Sequence, residues 1–276
     1  MEETTHTRTW LITGASSGVG QALAVAVLER GERVAAVGRN TCALRQLALG
    51  FRGQALALPA DVRDESALHS VVSRTTDMFG GIDVVVNSAG YALLGPVEEI
   101  SDKQAHENFD TNFFGVLNVV RAVLPLMREQ RSGHVVQMSS IFGHMAYPGT
   151  GLLAATKHAV GAITEALAQE LAPSGIRFTM MEPGGVNTRF MRKGEIVEAG
   201  VPYPAVGEMV GTLLAMPPEA LLDTRDLAEA ILRTADMVSP PLRVALGPGS
   251  ADVIRATLED RLRALTDGVE SSTQRR

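Results

Sequence analysis

The strongest constraint on this chain sits near its start. A short apolar run, Trp10-Leu11-Ile12-Thr13, enters Gly14-Ala15-Ser16-Ser17-Gly18-Val19-Gly20, and a helical pattern follows at once. Three glycines between a strand and a helix permit a tight turn, close approach of backbone to an anion, and close seating of the helix. The helix start then presents unpaired N–H groups and the positive end of a dipole to that anion. A purely packing role for the glycines is the competing reading. What separates the two is whether further strand–helix units follow.

They do follow. Residues 21–30 carry Ala22, Leu23, Ala26 and Val27 at helical spacing and stop at Gly31. Strands are expected at 33–37, 54–58 and 82–86, with a helix over 64–79. A long helix over 101–130 opens on a capping box of Ser101 with Gln104 and should kink at Pro125. A strand at 134–138, a helix over 151–171 and a strand at 176–181 complete the run. Right-handed crossovers then make the sheet parallel, with helices on both faces. The expected fold class is α/β: one doubly wound, Rossmann-type domain spanning 1–276. Beyond Pro183 the rhythm breaks. Residues 184–222 have the Gly, Pro and Met content of a substrate lid, 223–236 is again helical, 242–246 fits an edge strand, and 266–276 reads as a frayed polar tail.

Composition agrees where it bears on the argument. An apolar share of 45% with only 4% aromatics suits a Val/Ala/Leu-rich parallel sheet. A net charge of −6 argues against nucleic acid as partner. One cysteine, Cys42, excludes an internal disulfide and fits a reducing cytoplasm. No hydrophobic leader precedes Trp10 and no apolar stretch is long enough for a membrane helix, so a cytoplasmic protein without membrane partners is expected.

The end of the second strand bears on the cofactor. NAD binders hold the ribose 2′-hydroxyl with an acid there, whereas NADP binders use an arginine for the 2′-phosphate. Here Gly38 stands at the acidic position and Arg39 follows it. A guanidinium pairs well with phosphate, which favours NADP(H) over NAD(H), against the alternative of a solvated surface arginine.

From about Thr9 to Thr188 the chain resembles the short-chain dehydrogenase/reductase family. The motifs are Thr13 to Gly20, Asp61-Val62 after strand three, Asn87-Ser88-Ala89-Gly90 after strand four, Asn112 on the fourth helix, the Ser139-Ser140 pair ending strand five, Lys157, and Pro183-Gly184-Gly185-Val186-Asn187-Thr188. The resemblance implies cofactor contacts from Gly14, Ser16, Ser17, Gly18, Val19, Gly20, Asp61, Val62, Asn87, Ala89, Gly90, Lys157, Pro183, Gly184 and Thr188. It also implies a catalytic Ser140, a water-organising Asn112, a small-molecule substrate, no metal, and a homodimer or homotetramer.

One position departs from the family pattern. Tyrosine is expected four residues before Lys157, one helical turn away, so that the ammonium lowers the phenol's pKa. Leu153 stands there, and it carries neither proton nor lone pair. Losing a positioned acid or base typically costs about 10²–10⁴-fold in rate. His144, four residues past Ser140, is the best surrogate, since imidazole titrates near neutrality. Tyr147, Tyr91 and His158 are weaker candidates, each with an ordinary pocket-lining or surface role as the alternative.

Three functions therefore stand open. The first is hydride transfer from NADPH to a sizeable apolar, polyketide-like biosynthetic intermediate, without the usual tyrosine. The second is a non-redox cyclisation, dehydration or isomerisation on the same scaffold. The third is a non-catalytic NADP(H) sensor. The apolar side chains Phe190, Met191, Tyr203, Met209, Leu213, Leu214 and Met216 in the lid favour a large ligand, though packing beneath the lid accounts for them nearly as well.

Overall fold

A computed structural model describes residues 6–273. Strand β1 (Thr9–Thr13) is buried throughout, and its period-2 alternation serves two cores: Trp10 and Ile12 face one, Leu11 the other. The chain continues as α1 (Gly18–Glu29), β2 (Arg33–Gly38), α2 (Thr41–Gly50), β3 (Ala55–Pro59), α3 (Glu65–Phe79) and β4 (Val84–Asn87). It then forms β5 (Leu93–Leu94), α4 (Asp102–Phe109), α5 (Gly115–Gln130), β6 (Gly133–Met138), α6 (Gly151–Glu170) and β7 (Ile176–Pro183). The remaining elements are β8 (Glu195–Ile196), α7 (Pro204–Leu214), α8 (Thr224–Asp236), β9 (Arg243–Leu246) and α9 (Ser250–Thr273).

Seven strands make one sheet in the order β3-β2-β1-β4-β6-β7-β9, every pair parallel. Helices α1 and α8 cover the face holding Trp10, and α3, α5 and α6 the face holding Leu11. Strand order reverses between β1 and β4. In such a sheet the crevice beyond the strands' carboxyl ends at this point is where ligands bind. The expected α/β doubly wound fold is therefore observed, including the edge strand near 242–246.

Four local features differ from expectation. Helix α2 was not anticipated. Asn40 caps it, accepting from the Ala43 N–H at 3.1 Å, and Leu44 and Leu47 anchor its buried side. The long helix over 101–130 is irregular at a π-helical turn over Asp110–Phe114, while α5 runs through an exposed Pro125. The segment 184–222 is partly ordered by β8, which pairs in parallel with β5, and by α7. Finally, α9 continues past Thr266 to Thr273, where fraying was expected; residues 274–276 lie outside the described residues. Among the described residues no helix is long and apolar enough to cross a membrane.

Candidate functional site

The glycine turn is built by contact between β1 and β4. Ser88 and Ala89 donate their backbone N–H groups to Thr13 Oγ1 at 3.0 and 3.1 Å, drawing the Asn87–Gly90 segment against the turn. Gly14, at φ +70°, passes so close that a Cβ there would lie 2.9 Å from the Ser88 carbonyl oxygen. Across the turn, Thr188 approaches Gly18, its methyl 3.6 Å from where a Cβ would stand. The segment after β7 therefore overhangs the start of α1.

These elements enclose one long cleft of about 2610 Å³. Gly14, Ser16, Ser17, Gly18, Val19, Arg39, Asp61, Val62, Ala89, Gly90, Ser140, Lys157, Pro183, Gly184 and Thr188 all line it. A pocket for one drug-sized ligand occupies roughly 300–1,000 Å³, so this cleft has room for a dinucleotide and a second molecule. Gly20 and Asn87 lie behind its wall, both buried. The Asn87 amide faces Gln137 across the β4–β6 register, and neither side chain has a hydrogen-bond partner among the described residues. Open backbone at a helix start, a cationic Arg39 and a buried unsatisfied amide beside the crevice all fit a dinucleotide.

Beyond the β3 exit, Arg63 grips Asp61 through Nε and Nη2 at 3.0 and 2.7 Å. Those hydrogen bonds hold the Asp61 carboxyl below its usual pKa. Sequence inspection missed Arg63, though an acid–arginine pair two residues apart at a strand exit was a usable signal. Arg39 is exposed, and Gly38 beside it leaves space for Ser16, whose Oγ lies 3.2 Å from where a Cβ would sit.

On the α5 and α6 side, Asn112 sits in the π-helical turn, 2% exposed. Its Oδ1 accepts from the Tyr91 N–H at 3.0 Å, and its Nδ2 donates to the Tyr91 carbonyl at 2.9 Å and to Thr156 Oγ1 at 3.3 Å. Asn112 thus ties α4–α5 to the β4 exit and to α6, and Gly90 leaves it room: a Cβ there would stand 2.9 Å from its Oδ1. Helices carry such π turns frequently at functional sites. Ser140 Oγ donates to the Pro183 carbonyl and accepts from the Phe142 N–H, both at 3.3 Å, joining the loop after β6 to the end of β7. Lys157 Nζ donates to the Met138 carbonyl at 2.7 Å. Burial pushes its pKa down to about 8, with no charged neighbour opposing the shift.

Leu153 lines the same cleft at 1% exposure, packed with Ala92, Leu94, Phe142, Met145, Val206 and Val210. The wall one helical turn from Lys157 is therefore hydrocarbon. Tyr147 lines the cleft edge-on to Phe142 and makes no side-chain hydrogen bond to Ser140 or Lys157. His144 is not brought to this face. It is buried, absent from the cleft lining, and its Nε2 lies 2.9 Å from Glu182 Oε1. Arg243 joins the same cluster, bonded to Glu182 and, at 2.7 Å, to Glu165. The expectation that its loop would turn His144 into the cleft is corrected: the buried Glu182 carboxylate draws the imidazole inward. His158 Nδ1 faces the Ala154 carbonyl of its own helix at 2.9 Å.

A doubly wound sheet with a dinucleotide crevice and a Ser–Lys pair beside it defines the class, that of nucleotide-dependent dehydrogenase folds. Residues 8–196 match the family model of the short chain dehydrogenases, and the chain belongs to that family. It is 35% identical over 249 residues to an oxidoreductase, BOA17, of Botryotinia fuckeliana, covering 89% of this chain and 91% of that one. A short-chain dehydrogenase from Streptomyces avermitilis superposes with a TM-score of 0.89 at 34% identity, covering 97% and 98% of the two chains. A Burkholderia cenocepacia short chain dehydrogenase solved with NADP has a TM-score of 0.76 at 25% identity, covering 95% and 97%.

Proposed function

We propose that this protein is an NADP(H)-dependent reductase that transfers hydride to an apolar, polarised substrate without a tyrosine proton donor. The observation that carries the reading is the pairing of an intact dinucleotide cradle with a buried Leu153 one turn from Lys157. Bound NADPH supplies the hydride. Ser140 Oγ would hydrogen-bond the substrate oxygen, and Lys157 would hold the nicotinamide ribose, both from the wall of the same cleft. An amine whose pKa is lowered toward 8 can release a proton near neutrality, which ordinary lysine does poorly. Asn112 keeps α4–α5 and α6 in register around the site.

A plain ketone builds full alkoxide charge and needs a well-placed acid. An enone, quinone methide or iminium spreads or lacks that charge and is the better substrate here. Relatives are solved with NADP and with NAD, so the preference for NADP(H) rests on this chain's Arg39 and on the absence of an acid at Gly38. Membership of the family is what supports a homo-oligomer built through α4–α6.

The test is spectrophotometric. NADPH is incubated with the protein and a panel of enones, quinones and plain ketones, and cofactor absorbance and product are followed together. Absorbance should fall with enones and quinones and hold nearly steady with plain ketones. Product formed while NADPH stays constant would favour a cyclase, dehydratase or isomerase. NADPH binding with no product from any substrate would favour a sensor.

A further inference from the structure

The lid carries a charged feature that the reaction itself does not use. Beyond Thr188 the chain makes one helical turn, in which Lys193 donates its backbone N–H to the Arg189 carbonyl at 2.7 Å. Arg189, Arg192 and Lys193 therefore fall at i, i+3 and i+4, on one side of that turn. Phe190 and Met191, between them, pack against the apolar cluster that holds Leu153. The turn is pinned where it ends: Glu195 donates its N–H to the Ala92 carbonyl at 2.8 Å, and a Cβ on Gly194 would lie 2.5 Å from that oxygen.

All three cations are exposed and line the cleft, and none has an acid within ion-pair distance among the described residues. Of the acids that line the same cleft, Asp61 is engaged with Arg63, Asp223 caps α8 and Glu229 pairs with Arg233, while Glu29 and Asp226 belong to α1 and α8 rather than to this turn. In a chain of net charge −6, unpaired cations on one turn at a ligand cleft run against the background. Their places differ. Arg189 adjoins Thr188, which overhangs the glycine turn, and so belongs to the nucleotide side. Arg192 and Lys193 follow Met191 and adjoin the apolar wall.

We infer that Arg192 and Lys193 hold the anionic end of the substrate while its apolar body lies along Phe190, Met191 and Leu153. The substrate class is then an amphipathic anion, a carboxylate or phosphate on a hydrophobic frame. A lone exposed ion pair contributes little. Two neighbouring cations beside an apolar wall can each form a charge-assisted hydrogen bond with one anion. The inference rests on the proposed function only in taking this cleft as the substrate's.

NADPH-saturated protein titrated calorimetrically with decanoate, decyl phosphate and decanol tests it, for the native chain and the Arg192→Ala/Lys193→Ala variant. NADPH affinity is measured for both. The native chain should bind the two anions at least about tenfold tighter than decanol. The variant should lose that preference while its NADPH affinity changes less than about twofold. Equal binding of anions and decanol by the native chain, or a preference that survives in the variant, overturns the inference. So does a parallel fall in NADPH affinity, which would assign the pair to the nucleotide's phosphates. Failure of the native chain to bind NADPH would count against the reductase reading instead, and the same titrations without cofactor would still decide the inference.

Discussion

At the residue scale, function turns on single atoms that the sheet holds in place. Arg39 is the one cation at the β2 exit, and Gly38 beside it removes the acid that would repel a 2′-phosphate. A charge-assisted hydrogen bond contributes about 1.5–3 kcal/mol. Arg39→Asp should therefore weaken NADPH by about 10–100-fold and leave NADH within about twofold, as read by fluorescence titration. Lys157 gives a second residue-scale prediction. Burial lowers its folded pKa to about 8, against 10.5 when free, so the unfolded chain binds more protons between those values. The unfolding free energy of the cofactor-free protein should rise with pH across that window, by on the order of 2–3 kcal/mol. Lys157→Met should flatten the rise. Urea titrations of both proteins at pH 7.5 and 10 measure the difference, and identical slopes would contradict the burial.

At the element scale, the pieces that the sequence shows clearly are those with one dominant period. Strands β1, β2, β6 and β7 emerge from their apolar runs, and α1, α3, α6 and α8 from their 3.6-residue spacing and caps. Less legible are elements whose shape comes from tertiary contact. The turn at Asp110–Phe114 has no local signature, because what shapes it is Asn112 reaching Tyr91 and Thr156, 21 and 44 residues away. The β5–β8 pair is two residues a side, too short for any periodicity. His144 was assigned to the cleft from its distance to Ser140 along the chain, yet its direction is set by Glu182, 38 residues on. Asn112 carries this scale's prediction. Asn112→Ala leaves the part-buried Tyr91 N–H unpaired, while the Tyr91 carbonyl still accepts from Asn108 Nδ2, and should cost about 1–3 kcal/mol in denaturant unfolding. It should also lower turnover more than NADPH affinity, since it braces α6 rather than the glycine turn. An unchanged unfolding midpoint would show that the π turn stands without it.

At the scale of the whole molecule, the crevice between β1 and β4 explains why residues spread from Gly14 to Thr188 act together. Every parallel strand delivers its exit to one edge, so the strand-exit motifs lie in loops at that edge, with Asn112 and Lys157 brought to it on helices. The order of motifs along the chain was therefore enough to expect that most of their residues would share one cleft, as they do. It could not reveal that Leu153, Phe190 and Val206 join one apolar cluster, because they meet only through the packing of α6, the lid and α7. The claim on which the whole depends is that this site lacks one phenol and is otherwise laid out for carbonyl reduction. The direct measurement is kcat/KM for NADPH-dependent reduction of a plain ketone, such as 2-decanone, by the native protein and by Leu153→Tyr, with thermal unfolding run alongside to confirm that both are folded. The native protein should be nearly inactive and the variant faster by about 10²-fold or more, the contribution of a positioned general acid. A native protein that already reduces the ketone well, with a folded variant no faster, would contradict it.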